Sequence, residues 1–399
     1  MLIARKSMKA ACALLILCAL VLSLSDRALS STGASAEAPV NITIAAIGDV
    51  IPHARILSAA RDRRTGTYDF GPIFGPIAPY LARADYTVAN LETPLAGPGS
   101  GYTGYPRFNA PIELAYALQR TGVDLCATAN NHCLDRGWSG IVSTLDRLDQ
   151  VGLTHVGTYR SPSEKRTPLV VDIRGVKVGF LNYTAVLNSR IPAREQKDYA
   201  VDVLDVDAAA RDALQARMWG ADVVIAIVHY GNEYERQPSV RQVAISQGTT
   251  DAEGLLARGV DVIVGHHPHV VQPIARVVAE PGREAKDTYV AYSLGNFLSN
   301  QPWRYTDSGI IAYINIEKRG LRVSVTGISY LPVYVQRSTR VYPPTYRVVP
   351  LLPGLEPSTD IALTRRDKTR MDQIRSELDT ILSRPEDNIQ LLDLAALGL

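Results

Sequence analysis

The 399-residue sequence has almost no net charge, few cysteines, and no long apolar run after its first 25 residues. A formal net charge of +2 at pH 7 gives no electrostatic reason to expect a nucleic-acid partner. The chain contains no internal repeat and no low-complexity tract. With 46% hydrophobic and 21% charged residues its composition is that of an ordinary globular protein, so we expect a large buried core and a soluble chain beyond the N-terminus.

Only four cysteines occur, and two of them, Cys12 and Cys18, lie in the N-terminal apolar run. The other two, Cys126 and Cys133, flank the Asn130-Asn131-His132 segment. In an oxidising compartment they could pair and stiffen that loop. Two independent buried thiols fit the same spacing equally well, so the sequence leaves both alternatives open.

The N-terminus has the pattern of a secretory signal. A basic segment, an apolar run and a small-x-small cleavage site follow one another: Arg5, Lys6 and Lys9, then 10–25, then Ala34-Ser35-Ala36. The run is shorter than the roughly 20 residues that a membrane-spanning helix needs. We predict that residues 1–36 are a signal peptide, with an uncleaved N-terminal anchor as the alternative, and that 37–41 are a linker. The protein is therefore expected to be exported and either secreted or anchored at the membrane.

Strand-like and helix-like segments alternate from residue 42 onward, which predicts an α/β core. The apolar runs at 223–228 and 260–264 are typical of strands that are covered on both faces. Arg174-Gly175 and Arg319-Gly320 each separate two strand-like segments and indicate hairpins. A mixed sheet, or two packed sheets with outer helices, fits this pattern.

The chain beyond residue 338 differs in composition. Prolines crowd the span from 343 to 357, and a polar helix is predicted near Thr359–Leu382. We therefore predict one domain over 42–338, followed by a Pro-rich segment and C-terminal helix over 339–399 that form an appendage outside the core.

Polar side chains follow five of the strand-like segments, at the point where each one ends. They are Asp49, Glu92, Asn131, His132, His229, His266, His267 and His269. Because the carboxyl ends of strands line the ligand crevice of open α/β sheets, we expect these side chains to converge. Carboxylate, amide oxygen and imidazole suit Zn, Mn, Fe or Mg, so the pattern predicts a centre for one or two divalent cations.

Each of these residues also has a structural explanation when taken alone. Gly48-Asp49 and Asn130-Asn131 are typical of turns, and an isolated histidine is more often hydrogen-bonded than metal-bound. Three histidines within 266–269, directly after a buried strand, favour a metal. His53 and His155 are interpreted as structural, although His53 is close enough to Asp49 in sequence to reach the site.

Six ordered motifs carry a resemblance to a known family. They are IAAIGDV at 44–50, ANLETPL at 89–95, ATANNHCLDRG at 127–137, VHYGNEYE at 228–235, VDVIVGHHPHVVQP at 260–273 and YSLGNFL at 292–298. In these motifs the chain resembles the CapA family of poly-γ-glutamate capsule biosynthesis proteins, within the metallophosphatase-like superfamily. The resemblance implies an α/β fold in which two mixed sheets lie between outer helices, a four-layer αββα sandwich.

The resemblance also implies a role for each motif residue. Asp49 corresponds to the first metal carboxylate, Glu92 to the bridging carboxylate, and Asn131 to the amide ligand. The imidazole ligands correspond to His229, His267 and His269. His132 corresponds to the histidine that protonates the leaving group or holds the transition state. Glu233, Gln272 and Asn296 stand inside family motifs and are predicted to shape the substrate pocket.

One departure from the superfamily pattern concerns the first motif. Asp49 is followed by Val50 and Ile51, where metallophosphatases have Asp-x-His. One imidazole ligand is therefore missing, which counts against full occupancy by two metals and against ordinary phosphoesterase activity.

The family resemblance predicts a function in synthesis, export or trimming of an anionic capsule-type polymer, with poly-γ-glutamate as the polymer it implies. The expected mechanism is attack of a metal-activated water on an amide or ester carbonyl, with His132 as general acid. Arg107, Tyr105 and Tyr230 are predicted to hold substrate carboxylates. Two alternatives remain: a metal-dependent phosphoesterase, and a non-catalytic membrane-anchored scaffold that partners a polymer synthetase.

Overall fold

The computed structural model describes residues 38–190, 195, 197–278, 287–339, 343–353 and 363–393. The predicted signal or anchor segment, residues 1–36, lies outside these ranges. Residues Val40–Lys318 and those from Arg322 onward belong to one compact unit, which contains both sheets and the candidate site. No helix within the described ranges has the length and apolar character that crossing a membrane requires.

Two mixed sheets form the centre of the fold. In chain order the strands are β1 Val40–Val50, β2 Tyr86–Leu91, β3 Leu125–Ala127, β4 Thr154–Val156, β5 Leu169–Ile173, β6 Val176–Thr184, β7 Val223–His229, β8 Val262–His266, β9 Ile274–Val278, β10 Asp287–Ala291, β11 Asn296–Leu298, β12 Ser308–Arg319, β13 Arg322–Ser338, β14 Thr345–Pro350 and β15 Ile389–Leu391.

The nine-stranded sheet has the order β14-β13-β12-β1-β2-β3-β4, with β11 beside β1 and β15 beside β13. The six-stranded sheet has the order β5-β6-β7-β8-β10-β9. Strands β1 to β4 run parallel to one another, and so do β6, β7, β8 and β10. The hairpin that Arg174-Gly175 predicts is confirmed, because β5 and β6 pair antiparallel around it.

The described α-helices lie mostly on the outer faces of the two sheets. They are α1 Ala54–Ala60, α2 Gly71–Phe74, α3 Ala78–Leu81, α4 Glu113–Thr121, α5 Gly137–Val151, α6 Pro162–Lys165, α7 Val206–Met218, α8 Val240–Ser246 and α9 Arg365–Leu382. The segment from Gly71 to Leu81 forms two short helices, α2 and α3. Pro76 lies between them and lacks the backbone N–H that would continue the hydrogen bonds of one helix.

Alternating side chains of β1 show how the layers are stacked. Ile44 and Ala46 belong to the apolar cluster between the two sheets, where residues of β6, β7 and β8 meet them. Ala45 and Ile47 point the other way, into a cluster formed with α1 to α5. A third cluster joins the far face of the six-stranded sheet to α7 and α8. The prediction of two mixed sheets between helices, an αββα sandwich, is therefore confirmed, and each fully buried aliphatic side chain contributes about 1.5–3 kcal/mol to it.

The described parts of the C-terminal region, 343–353 and 363–393, pack on the core, so the prediction of an appendage outside the core is wrong for them. Strands β14 and β15 both pair with β13. One face of α9 is buried in the cluster between the sheets through Met371, Ile374, Leu378 and Leu382. These residues recur at three- and four-residue spacing, the stripe of an amphipathic helix that packs on a core.

Candidate metal centre

The ends of five strands bring carboxylates, an amide and imidazoles into one buried group, which we call the His–carboxylate cluster. Its members are Asp49 in β1, Glu92 after β2, Asn131 after β3, His229 at the end of β7, His266 at the end of β8, and His267 and His269 in the loop that follows. Every one of them is at most 5% exposed to solvent. The expected convergence of these side chains is therefore present in the fold.

Asp49 lies at the centre of this cluster because both of its carboxylate oxygens have imidazole partners. His266 Nδ1 lies 2.8 Å from Asp49 Oδ1, and His269 Nδ1 lies 2.9 Å from Asp49 Oδ2. Asn90 Nδ2 donates a third hydrogen bond to Asp49 Oδ1 at 2.8 Å. Burial raises the pKa of Asp49, but the two imidazoles more than offset this and hold that pKa well below its usual value.

Glu92 is equally buried and has a different environment. Asn90 Nδ2 donates to Glu92 Oε2 at 3.2 Å, whereas Glu92 Oε1 lies 3.6 Å from His269 Nε2 and 3.8 Å from His229 Nε2. Those separations are too long for good hydrogen bonds. Burial, which outweighs the attraction of His269, raises the pKa of Glu92 well above its usual value. A positive charge near Oε1 would relieve this penalty.

Three buried atoms of the cluster have no hydrogen-bond partner among the described residues: Glu92 Oε1, His229 Nδ1 and His267 Nδ1. Buried polar atoms are nearly always paired, so such a concentration needs an explanation. The ligand atoms of Asp49, Glu92 and His269 all lie within 4.8 Å of one another. Carboxylate and imidazole donors at this spacing fit a divalent cation of the Mn, Zn, Fe or Mg type.

Neighbouring groups shift the pKa values of the imidazoles in different directions. Burial alone lowers the pKa of His269, but Glu92 and Asp49 raise it to about 9. Burial and the neighbouring His269 lower the pKa of His267 to about 4. Burial and His267 also lower the pKa of His229, whose Nε2 lies 3.1 Å from Asn131 Oδ1. His229 and His267 are thus held neutral, which is the form that binds metals.

The loop that carries two of these histidines has unusual backbone geometry. His267 has a φ of 98° and His269 a φ of 58°, both in the left-handed region that non-glycine residues rarely adopt. Such strain persists only where the surrounding structure imposes it, and it is concentrated at functional sites. Here both strained residues are candidate ligands, and His269 Nδ1 reaches the Asp49 carboxylate of the other sheet.

His132 lies beside the cluster in a hydrogen-bonded pair with Asp135. His132 Nδ1 lies 2.8 Å from Asp135 Oδ2, and the ring packs edge-on against Phe108 with 4.6 Å between ring centroids. The Phe108 backbone N–H also donates to Asp135 Oδ2, at 2.7 Å. Arg107 Nε and Nη2 donate to the Asp135 carbonyl oxygen at 3.0 and 2.7 Å. The exposed Arg107 side chain therefore supports the His132–Asp135 pair.

The structure does not bring Tyr230 to this site. Its ring is buried in the cluster between the six-stranded sheet and the outer helices, and its hydroxyl lies 3.0 Å from Ser246 Oγ in α8. Asn296 is paired in register with Asp49 across β1 and β11. Its Nδ2 donates to Gln301 Oε1 and to the Thr306 carbonyl oxygen, each at 2.9 Å, so it fastens the loop beside the cluster.

Gln272 and Glu233 belong to the loops around the cluster. Gln272 Nε2 donates to the carbonyl oxygens of Glu235 and Gln237 at 2.7 and 3.1 Å. Glu233 is exposed, and its carboxylate lies within 4.8 Å of ligand atoms of both His267 and His269. His155 lies elsewhere: its Nε2 is 3.1 Å from Asp149 Oδ1.

Several neighbours of the site were not predicted from the sequence. His266 is among the residues expected to converge but has no predicted ligand role, and neither Asn90 nor Asp135 is a predicted site residue. Asn90 stands two residues before Glu92, the spacing that puts side chains on one face of a strand, so alternation could have found it. Tyr234 packs against the His269 ring at 6.2 Å and against Trp303 at 5.8 Å between centroids, and no local pattern indicates that contact.

The two cysteines beside this site are free thiols in the structure, and both are buried. Burial raises the pKa of Cys126 and of Cys133 to about 12 in each case. The arrangement corresponds to the alternative of two independent buried thiols.

Comparison with known proteins gives consistent matches over the region that holds the cluster. The family described as bacterial capsule synthesis protein PGA_cap matches residues 43–301. Capsule biosynthesis protein CapA of Bacillus anthracis is 29% identical over 281 residues, which is 68% of this chain and 63% of that protein. PGA biosynthesis protein CapA of Bacillus subtilis is 29% identical over 265 residues, 64% of each chain. The match thus spans less than two thirds of either relative's length.

Among solved structures, the calcineurin-like phosphoesterase YfkN of Bacillus subtilis aligns with 86% of this chain and 100% of its own, at 15% identity and a TM-score of 0.41. Values at this level are too low to support an inference about function.

Proposed function

The chain belongs to the PGA_cap family of bacterial capsule synthesis proteins, and on this premise we propose that it acts on an anionic capsule-type polymer through a metal-dependent hydrolytic site. The step we propose lies in synthesis, export or trimming of the polymer, with poly-γ-glutamate as the leading candidate. Two relatives are named for capsule and PGA biosynthesis. The observation that carries the hydrolytic proposal is the buried approach of Asp49, Glu92 and His269 within 4.8 Å.

The residues that would hold one or two divalent cations are Asp49, Glu92, Asn131, His229, His267 and His269. A bound cation of this kind polarises a carbonyl or phosphoryl oxygen and lowers the pKa of a water molecule. The protein's own part is to fix the donors in place. Asn90 does this for both carboxylates, because its Nδ2 donates to Asp49 and to Glu92.

His132 is assigned the role of general acid. Its Nδ1 partner, Asp135, fixes the ring orientation and keeps a proton on the Nδ1 side, which leaves Nε2 to deliver a proton to the leaving group. Asp135 is itself held by the Phe108 backbone N–H and, through its carbonyl, by Arg107. A positioned acid of this kind contributes roughly 10²–10⁴-fold to the rate.

Side chains at the edge of the His–carboxylate cluster are assigned to substrate binding. Tyr105 and Trp303 are 75% and 58% exposed, and Tyr234 packs between Trp303 and His269. Arg107, which the sequence predicts to hold substrate carboxylates, is also exposed at this edge, where its Nε and Nη2 donate to the Asp135 carbonyl oxygen. A guanidinium at this edge suits carboxylates of an anionic polymer, which supports the choice of substrate class.

Metal content is the decisive measurement for this proposal. We expect gently purified protein to contain a divalent metal by elemental analysis, and His267→Ala to lose most of it. His155→Ala is the matched control, because it removes a half-buried histidine that pairs with Asp149 away from the cluster. Equal metal content in His267→Ala and the wild type would count decisively against the site.

Two further assays separate the rival functions. Rapid cleavage of p-nitrophenyl phosphate with Mn²⁺, without cleavage of glutamyl polymers, would favour a phosphoesterase. This alternative is considered because the same donor set can hold the cations that bind phosphoryl groups. Unchanged biological function of His132→Ala would favour a non-catalytic scaffold for a membrane synthetase.

We also propose that the protein is exported. The support is the basic, apolar and small-residue order of residues 1–36. N-terminal sequencing of the extracytoplasmic protein distinguishes cleavage after this segment from an uncleaved anchor, and accumulation in the cytoplasm would contradict export.

A further inference from the structure

Glu233 is an exposed carboxylate beside two of the buried histidines. It stands outside the ligand set that the family resemblance implies. Its carboxylate oxygen, a nitrogen of His267 and a nitrogen of His269 all lie within 4.8 Å of one another. Bonds of about 2.0–2.2 Å from a cation place two ligand atoms at most about 4.4 Å apart. The three side chains therefore need only small movements to share one ion.

The backbone on both sides of Glu233 is tied to the histidine loop. The Tyr234 backbone N–H donates to the Pro268 carbonyl oxygen at 2.8 Å, and Tyr234 has a φ of 67°. Gln272 Nε2 donates to the Glu235 carbonyl oxygen at 2.7 Å. A surface carboxylate on a freely moving loop would have no such attachments. These contacts hold Glu233 at the opening of the cluster.

His267 supplies an independent indication of a ligand. Its Nδ1 is buried and has no hydrogen-bond partner among the described residues. His269 connects the two ends of the site, since its Nε2 lies 3.6 Å from Glu92 Oε1 and its ring also adjoins that of His267 at 6.1 Å between centroids. The same imidazole thus belongs to both groups of three ligands.

We propose that Glu233, His267 and His269 form a second, outer cation position, beside an inner position formed by Asp49, Glu92 and His269. When both ions bind, His269 would bridge them as an imidazolate, one ring nitrogen to each, and its ring proton would be released to solvent. This inference rests on the proposed function, because both positions belong to the same metal centre. It reassigns Glu233 from substrate contact to metal ligand. The outer ion is of the Mn²⁺ or Zn²⁺ class, which accepts imidazole together with carboxylate oxygen.

The two positions differ in their exposure. Asp49 and Glu92 are completely buried, whereas Glu233 is exposed. The inner ion is therefore enclosed by two carboxylates, and the outer one is open to solvent and exchanges more readily. Glu233 would also add a ligand to a centre that lacks the histidine of the superfamily's Asp-x-His motif, because this chain has Ile51 at that position.

Counting Mn²⁺ ions tests this assignment. The full-length protein, stripped of metal with a chelator and dialysed, is titrated with MnCl₂ while free Mn²⁺ is measured by electron paramagnetic resonance. We expect two classes of site in the wild type. Glu233→Gln should weaken the looser class by more than about 10-fold and leave the tighter class unchanged, because even partners of ligands are worth 10–100-fold in affinity.

Glu235→Gln is the matched control, since Glu235 is an exposed glutamate two residues away whose side chain accepts from Asn232 Nδ2 at 3.0 Å. It should titrate like the wild type. Two unchanged classes of site in Glu233→Gln would overturn the inference and leave the proposed centre intact, and so would a single class of site in the wild type. Wild-type protein that binds no Mn²⁺ would overturn the proposed function itself.

Discussion

Asp49 and Glu92 lie in the same buried cluster and have opposite electrostatic settings. Asp49 has an imidazole on each oxygen, and its pKa is held low. Glu92 has one unpartnered oxygen, and burial raises its pKa. The pair shows that the protein's own groups neutralise only one of the two carboxylates. A cation is thus more important to Glu92 than to Asp49, a difference that no residue pattern in the sequence indicates.

Glycine at position 265 allows the backbones of β8 and β10 to approach each other beside His266. A Cβ atom on residue 265 would lie 1.9 Å from the Tyr292 carbonyl oxygen. The two strands would have to move apart to relieve this clash. We expect Gly265→Ala to lower the free energy of unfolding by about 1–3 kcal/mol or more, as overpacking does. Chemical denaturation monitored by circular dichroism measures the change.

Gly99→Ala is the control for that substitution. Gly99 is exposed in the short 3₁₀ turn Pro98–Ser100, its φ lies outside the left-handed region, and no atom beyond its chain neighbours lies within 4 Å of an added Cβ. We expect the free energy of unfolding to rise by about 0.4–1 kcal/mol, because alanine restricts the unfolded chain. Equal effects of the two substitutions would show that the approach at residue 265 is not a constraint.

At the scale of elements, the sequence predicts which strand ends meet at the site, but it does not predict which side chains at each end face it. The rule that polar residues at the carboxyl ends of parallel strands converge applied to β1, β2, β3, β7 and β8. Tyr230 shows its limit. Successive side chains alternate between faces, so the residue after His229 points away from the cluster and packs against α8. A motif match identifies neighbours in sequence, whereas the face decides which of them reach the site.

Helix α9 shows the opposite error, in which local composition concealed a core element. Its polar residues and the preceding prolines suggested an appendage, although Met371, Ile374 and Leu378 have the spacing of a buried stripe. The helix begins with a reciprocal cap: Thr364 Oγ1 accepts from the Asp367 backbone N–H, and Asp367 accepts from the Thr364 backbone N–H. Which surface such a stripe covers depends on β13 and β15, which are distant in the chain.

Ile374 provides the test of that packing. It is completely buried in the cluster between the two sheets. We expect Ile374→Ala to lower the free energy of unfolding of the whole protein by about 2–5 kcal/mol, because it leaves a cavity in the core. Lys368→Ala, an exposed change on the same helix, should stay within about 0.5 kcal/mol of the wild type. A main unfolding transition unaffected by Ile374→Ala would mean that α9 is not part of the cooperative core.

At the scale of the whole molecule, the candidate ligands come from both sheets. Asp49, Glu92 and Asn131 follow strands of the nine-stranded sheet, whereas His229 and the histidines after β8 belong to the six-stranded sheet. Direct side-chain contacts between the two groups include the Asp49–His266, Asp49–His269 and Asn131–His229 pairs. A shared cation would add bonds between two layers that also meet through the apolar cluster.

Metal should for this reason stabilise the fold as well as the site. We expect Mn²⁺ at about 100 times its dissociation constant to raise the free energy of unfolding by about 2.7 kcal/mol, with a higher Tm, and a chelator to reverse the change.

Glu92→Gln should lose most of this metal-dependent shift. Without metal, the same variant should be at least as stable as the metal-free wild type, because it removes a buried carboxylate with an unpartnered oxygen. Glu235→Gln should respond to Mn²⁺ like the wild type. Differential scanning calorimetry of the three proteins with and without chelator measures these shifts, and a Tm that does not change with metal in the wild type would rule out a cation between the sheets.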